Sequence, residues 1–246
     1  MLLNRPKNID VAQLARMAAE TYINTNYWID GKLTFENNNG VCVVNCDGNV
    51  TVDNDEIEKF TDGFVWGKVK GNFHCYACDN LESLEGAPKE VGGNFDCYSC
   101  EKLKSLKGAP EKVGGDFKCC ECTGLTSLKG APKYVGEDFE CSNCSNITSL
   151  EGAPIKVNGD FTCIECDKLT SLEGSPEKVK GHFCCSYCKN LKSLKGAPKK
   201  IGWGFDCSYC KNLTSLEGAP EKIDGNFIYY GCDILESLEE APKKCT

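Results

Sequence analysis

The sequence predicts an α/β repeat fold: a solenoid with a parallel β ladder and short irregular or 3₁₀ return segments, covered at its N-terminal end by a helix and hairpins. Three observations carry this reading. A unit of 22 residues recurs without insertion or deletion, anchored at Val69, Val91, Val113, Val135, Val157, Val179, Ile201 and Ile223. Within each unit a Phe alternates with polar residues at the period of a strand, and in seven of the eight a Cys follows at the same period. Each unit then carries two apolar residues three apart and a Gly-Ala-Pro or close variant, which turns the chain back. Coils of this kind cannot bury their own apolar faces, but stacked on one another they share a continuous core.

Residues 1–68 fall outside the period and read as an N-terminal cap. In IDVAQLARMAAETYI, Val11, Leu14, Ala15, Ala18 and Ile23 lie near one face of a helix spanning about 10–23, with Asp10 as N-cap. Two stretches, YWIDGKLTF and VCVVNCDGNVTV, place Asp-Gly between strand-like runs, which predicts tight hairpins over about 27–53. DGNVTV also echoes GGNFDC of the repeat, as a degenerate first coil would.

Residues 69–246 hold the eight repeats. In the coil FDCYSCEKLKSLKGAP, Phe95 and Cys97 point inward, while Asn94, Asp96 and Tyr98 point outward. Cys100 stands where the chain bends out of the strand. Leu103 and Leu106 give the return segment one apolar edge. Gly108-Ala109-Pro110 makes one turn and Gly92-Gly93 another.

The chain has 246 residues, 41% hydrophobic and 26% charged, the balance of a folded chain rather than a disordered one. Its net charge of -8 opposes a general phosphate-backbone binder, so no nucleic-acid partner is expected. No run approaches the roughly 18 to 20 apolar residues of a membrane helix, so no membrane partner is expected either. The N-terminal stretch shows no apolar segment before a cleavage site, and a reducing cytoplasm is the expected compartment.

Twenty cysteines require an explanation. A lone CxxC suits a zinc clip or a redox dithiol. Repeated in seven coils, and with the bend Cys kept in the eighth, its members form two columns inside an apolar core: Cys75, Cys97, Cys119, Cys141, Cys163, Cys185 and Cys207 from the strand, and Cys78, Cys100, Cys122, Cys144, Cys166, Cys188, Cys210 and Cys232 from the bend. Thiols there pack as small hydrophobes with a weak S–H donor. The alternatives are metal or vertical disulfides between coils, whose spacing falls within the allowed Cα range. His74 and His182 lie on outward positions and do not extend a ligand set. Cys120 and Cys184 occupy outward positions and are expected as solvent-exposed thiols. No nucleophile elbow or phosphate-binding loop occurs, so neither catalysis nor a cofactor or metal is expected.

The pattern F-x-C-x-x-C-x-x-L resembles the L-x-L-x-x-N/C-x-x-L core of leucine-rich repeats in their cysteine-containing form, across residues 69–246. The SLEGAP…VGGxF phrasing is also similar to short repeat proteins encoded by bacteria and phages. The resemblance implies a right-handed leucine-rich-repeat solenoid whose bend cysteines bond backbone groups, and a recognition scaffold rather than an enzyme. One departure is Cys in the strand where that family has Leu.

If the inward columns are scaffold, function falls to the outward strand residues. Tyr76, Asp96, Tyr98, Asp116, Lys118, Asp138, Glu140 and Asp160 combine aromatic anchors with charge and suit a protein or peptide partner. The competing reading of the Asn and Asp positions is turn geometry before the strand. Two further readings are a structural protein that dimerises or stacks through an open C-terminal coil, and a metal or redox protein built on the CxxC ladders. The return-side column Glu85, Lys107, Lys129, Glu151, Glu173, Lys195, Glu217, Glu239 reads as a solvated, partly compensated face. Trp203 is a single oddity in a turn of small and polar residues.

Overall fold

A computed structural model describes residues 10–242. Helix α1 (Val11–Asn26) opens the described chain, and the Asp10 carboxylate accepts the Ala12 N–H at 3.1 Å. Its buried stripe runs through Ala19 and Ile23, with Ala15 packed beside them, while Val11 and Leu14 are exposed. The packed face is therefore rotated from the expected one. Small residues four apart let the helix lie close on the strands below it.

Four strands follow: β1 (Tyr27–Asp30), β2 (Leu33–Asn38), β3 (Val41–Cys46) and β4 (Asn49–Val52). The tight hairpin joins β2 to β3 through Asn39 and Gly40, both at positive φ. The two Asp-Gly pairs, expected as hairpin turns, are corners instead. Asp30-Gly31 leads from β1 into β2 and Asp47-Gly48 from β3 into β4, each step crossing between two different sheets. Strand β1 pairs antiparallel with β4, not with β2. The corners touch: a Cβ on Gly48 would stand 1.8 Å from the Asp30 carbonyl oxygen, so glycine is required for close approach there.

From β5 (Phe64–Val69) and β6 (Phe73–His74) onward every coil adds one strand to each of two parallel sheets. The first ladder carries the Phe positions, Phe73 beside Phe95 and so on to Phe227. Val50 of β4 stands in register with Phe73, so residues 49–52 already follow the ladder. The second ladder, which the single-ladder expectation lacked, consists of dipeptides such as Glu90–Val91 and Lys112–Val113, with the aliphatic residue buried. The return segments are irregular, with isolated turns such as Leu103 N–H to Cys100 C=O and Ala109 N–H to Leu106 C=O, and no 3₁₀ helix among the described residues.

Between the ladders lies one core. Phe73 to Phe205 are fully buried, and their rings stack at 5.2 to 5.4 Å between centroids. The strand and bend cysteines and the two return columns of Leu or Ile complete it. The chain leaves the strand through a left-handed residue between the two cysteines, such as Ser99 at φ 56°, whose N–H bonds Cys120 O at 2.9 Å. In the last described coil the pattern loosens: Phe227 is half-buried, and Tyr229 and Leu238, whose counterparts in earlier coils are buried, are exposed.

Candidate functional site

The cysteine columns act as rungs between coils. From Cys100 onward each bend thiol reaches the strand carbonyl of the preceding coil: Cys100 Sγ donates to Cys75 O at 3.2 Å, Cys122 to Cys97 O at 3.0 Å and Cys144 to Cys119 O at 3.0 Å. The series continues to Cys232, which donates to Cys207 O at 3.2 Å. Burial pushes the Cys75 and Cys185 thiols well above the ordinary thiol range, which opposes the thiolate needed by a nucleophile or a metal ligand. No disulfide joins the described cysteines. No three His, Cys, Asp or Glu side chains among the described residues converge so as to hold a metal ion.

Cys120 and Cys184 depart from expectation: both are half-buried rather than solvent-exposed. Neighbouring outward side chains cover them, with Glu140 Oε2 3.9 Å from Cys120 Sγ and Ser186 Oγ 3.4 Å from Cys184 Sγ. Burial pushes the Cys120 thiol up to about 12. Neither is the reactive thiol of an electropositive, open site.

The Asn and Asp residues before each first-ladder strand form a side-chain ladder. Asn72 Oδ1 accepts the Asn94 N–H at 2.8 Å, Asn94 Oδ1 the Asp116 N–H at 3.0 Å, and Asp116 Oδ1 the Asp138 N–H at 3.0 Å. Asp138 and Asp160 each do the same for the next coil at 2.7 Å. One oxygen of each side chain is thus committed to the scaffold, and an amide serves as well as a carboxylate. Partial burial, with the Asp160 and Asp116 charges adding, raises the Asp138 carboxyl above the usual carboxylate range.

The remaining outward residues form the face proper. Tyr76 and Tyr98 lie together with ring centroids 4.5 Å apart, and Tyr98 is 43% exposed. Lys118 Nζ bridges Glu140 at 2.8 Å and Asp116 at 3.5 Å. Asp96 stands outward but is only 7% exposed. His74 and Tyr76 of the preceding coil close over it: Asp96 Oδ2 is 2.8 Å from His74 Nδ1 and 3.2 Å from the Tyr76 hydroxyl. Burial, then the Asp96 charge, raises the Tyr76 hydroxyl, which stays protonated as a donor. His74 was not among the sequence candidates. The signal for it was the repeat spacing itself, since residues 22 apart in one outward column are neighbours.

The structure therefore gathers Tyr76, Tyr98, Lys118 and Glu140 on one accessible strip. It places Asp96 beneath that strip and Asp116, Asp138 and Asp160 along its edge as backbone acceptors. No helix among the described residues is long and apolar enough to cross a membrane. Comparison with known proteins finds no matching family model, curated protein or solved structure. The geometry alone classifies the chain, as a cysteine-rich β-solenoid of eight repeated turns with two parallel ladders.

Proposed function

We propose that this solenoid is a non-catalytic scaffold of the cysteine-containing leucine-rich-repeat type, working in a reducing cytoplasm. It binds a protein or peptide through the outward side of the first ladder. The observation that carries the reading is the division of labour within the coil. Inward positions repeat Phe, Cys and Leu almost unchanged, while the outward strip varies from coil to coil and carries two adjacent tyrosines, tilted 34° to one another, and a Lys118–Glu140 pair. Rigid aromatics beside charge supply contact area at low entropic cost.

The test is quantitative binding of a partner isolated on the wild-type chain, using Tyr98→Ala and Glu140→Lys. Neither side chain lies in the core or bonds the backbone. Each variant is expected to weaken the complex by about tenfold or more, as for interface hot spots. Unchanged affinity in both would remove this face from the interface. A second reading, stacking against the last described coil, is favoured by the exposure of Tyr229 and Leu238 at inward positions. Self-association that persists in both variants would favour it.

A further inference from the structure

A column of lysines runs along the outer side of the second ladder. Parallel pairing sets Lys156 beside Lys178, Lys178 beside Lys200, and Lys200 beside Lys222. All four are exposed. With neighbouring strands about 4.8 Å apart, this is a straight strip of like charge roughly 14 Å long. Like charges directly opposite one another destabilise a ladder.

Elsewhere several lysines are offset by a neighbouring side chain. Earlier in the same column Lys68 pairs with Glu90 at 3.0 Å, and Lys112 lies over the Tyr134 ring. On other faces Lys104 meets Glu82, Lys107 meets Glu85, Lys129 meets Glu151 and Lys195 meets Glu173, all one coil apart at 2.7 to 3.1 Å. In the lysine strip only Lys222 has an acidic partner, Asp224 of its own coil. Among the described residues Lys156, Lys178 and Lys200 have none, and Glu177 and Glu221 pair with no lysine of the strip.

We propose that this strip docks the acidic face of an α-helix from a partner protein. The site is separate from the first-ladder face and does not depend on it. Spacing selects the occupant. One helical turn rises about 5.4 Å, so carboxylates at i, i+4, i+7 and i+11 meet successive rungs with a drift of roughly 2 Å over the strip, within the reach of lysine stems. Alternate residues of an extended strand are about 6.8 Å apart and would slip by more than a rung over the same length. Single-stranded nucleic acid needs aromatic platforms along the groove. Here the column offers only Tyr134 at its edge, on a chain of net charge -8. Lysine ammonium groups are point charges suited to carboxylates without a fork geometry.

The test uses a labelled helical peptide with glutamates at i, i+4, i+7 and i+11. An isomer with the same glutamates spread around the helix and a single-stranded oligonucleotide serve as comparisons. The patterned peptide is expected to bind at low salt, to lose at least tenfold in affinity on Lys178→Glu with Lys200→Glu, and to be released at about 1 M salt. Equal binding of both peptides, or tighter binding of the oligonucleotide, would overturn the proposal. A second readout guards against a merely structural effect. Lys178→Glu alone, set between Lys156 and Lys200, is expected to raise the melting temperature while weakening the peptide. A lowered melting temperature would show that the column carries no unrelieved repulsion, and the proposal would fall.

Discussion

Phe139→Ala is expected to destabilise the protein by about 3 to 5 kcal/mol, the range for removing a fully buried Phe side chain. Phe139 is completely buried, and its ring lies between Phe117 at 5.3 Å and Phe161 at 5.2 Å, nearly parallel to both. Truncation removes two stacking contacts as well as the buried area and leaves a gap that coils held in register cannot close. In a solenoid each coil contacts chiefly its neighbours, so the loss falls on the interfaces between coils. Hydrogen exchange should then show the coils on either side of Phe139 opening separately. Phe227→Ala, in the half-buried last position, is the internal comparison and should cost less. A loss below about 1 kcal/mol at Phe139 would mean that the ring column does not carry the stacking.

Gly152→Ala is expected to cost roughly 2 to 5 kcal/mol, from two causes that add. Its φ is +93°, a conformation side chains rarely adopt, and an added Cβ would stand 2.5 Å from Lys129 Cα and 2.6 Å from the Leu128 backbone. Both contacts are to the main chain of the preceding coil, which cannot swing aside. Gly63→Ala separates the causes: φ is +75° there, but nothing lies within 4 Å of an added Cβ. Denaturant unfolding should show Gly63→Ala costing about 1 to 3 kcal/mol, with Gly152→Ala clearly worse. Equal costs would mean that only backbone conformation matters and that the coils do not touch through this turn. In the last coil Glu240 occupies this place, and its φ is not positive.

The core was legible because the 22-residue spacing turns a column in space into a column in the alignment of the chain with itself. Phe95, Cys97, Cys100, Leu103 and Leu106 could each be placed inward from one coil and checked in the others. The second ladder was not, because two residues such as Lys112–Val113 are too short to show a period of two. The Asp-Gly pairs misled because the same dipeptide serves a hairpin turn and a corner where two backbones meet. Only the Asp30–Gly48 approach distinguishes them. For the outward face the sequence identified the residues but not their cover. Asp96 is buried by His74 and Tyr76 from the coil before it, and Cys120 and Cys184 by outward neighbours at the next positions. The lysine strip required knowing that Lys156, Lys178, Lys200 and Lys222 lie on a ladder at all.

We propose that the cysteines hold the coils together as reduced core thiols and perform no chemistry. The direct measurement is a thiol count and metal analysis on protein purified without chelator. No stoichiometric metal and twenty titratable thiols after unfolding are expected. In the native state the deeply buried rungs, Cys97 and Cys144 among them, are expected to react far more slowly than the half-buried Cys120, Cys184 and Cys232. Bound zinc in fixed proportion, or a shortfall of thiols in pairs, would contradict it and return the CxxC columns to metal or disulfide chemistry.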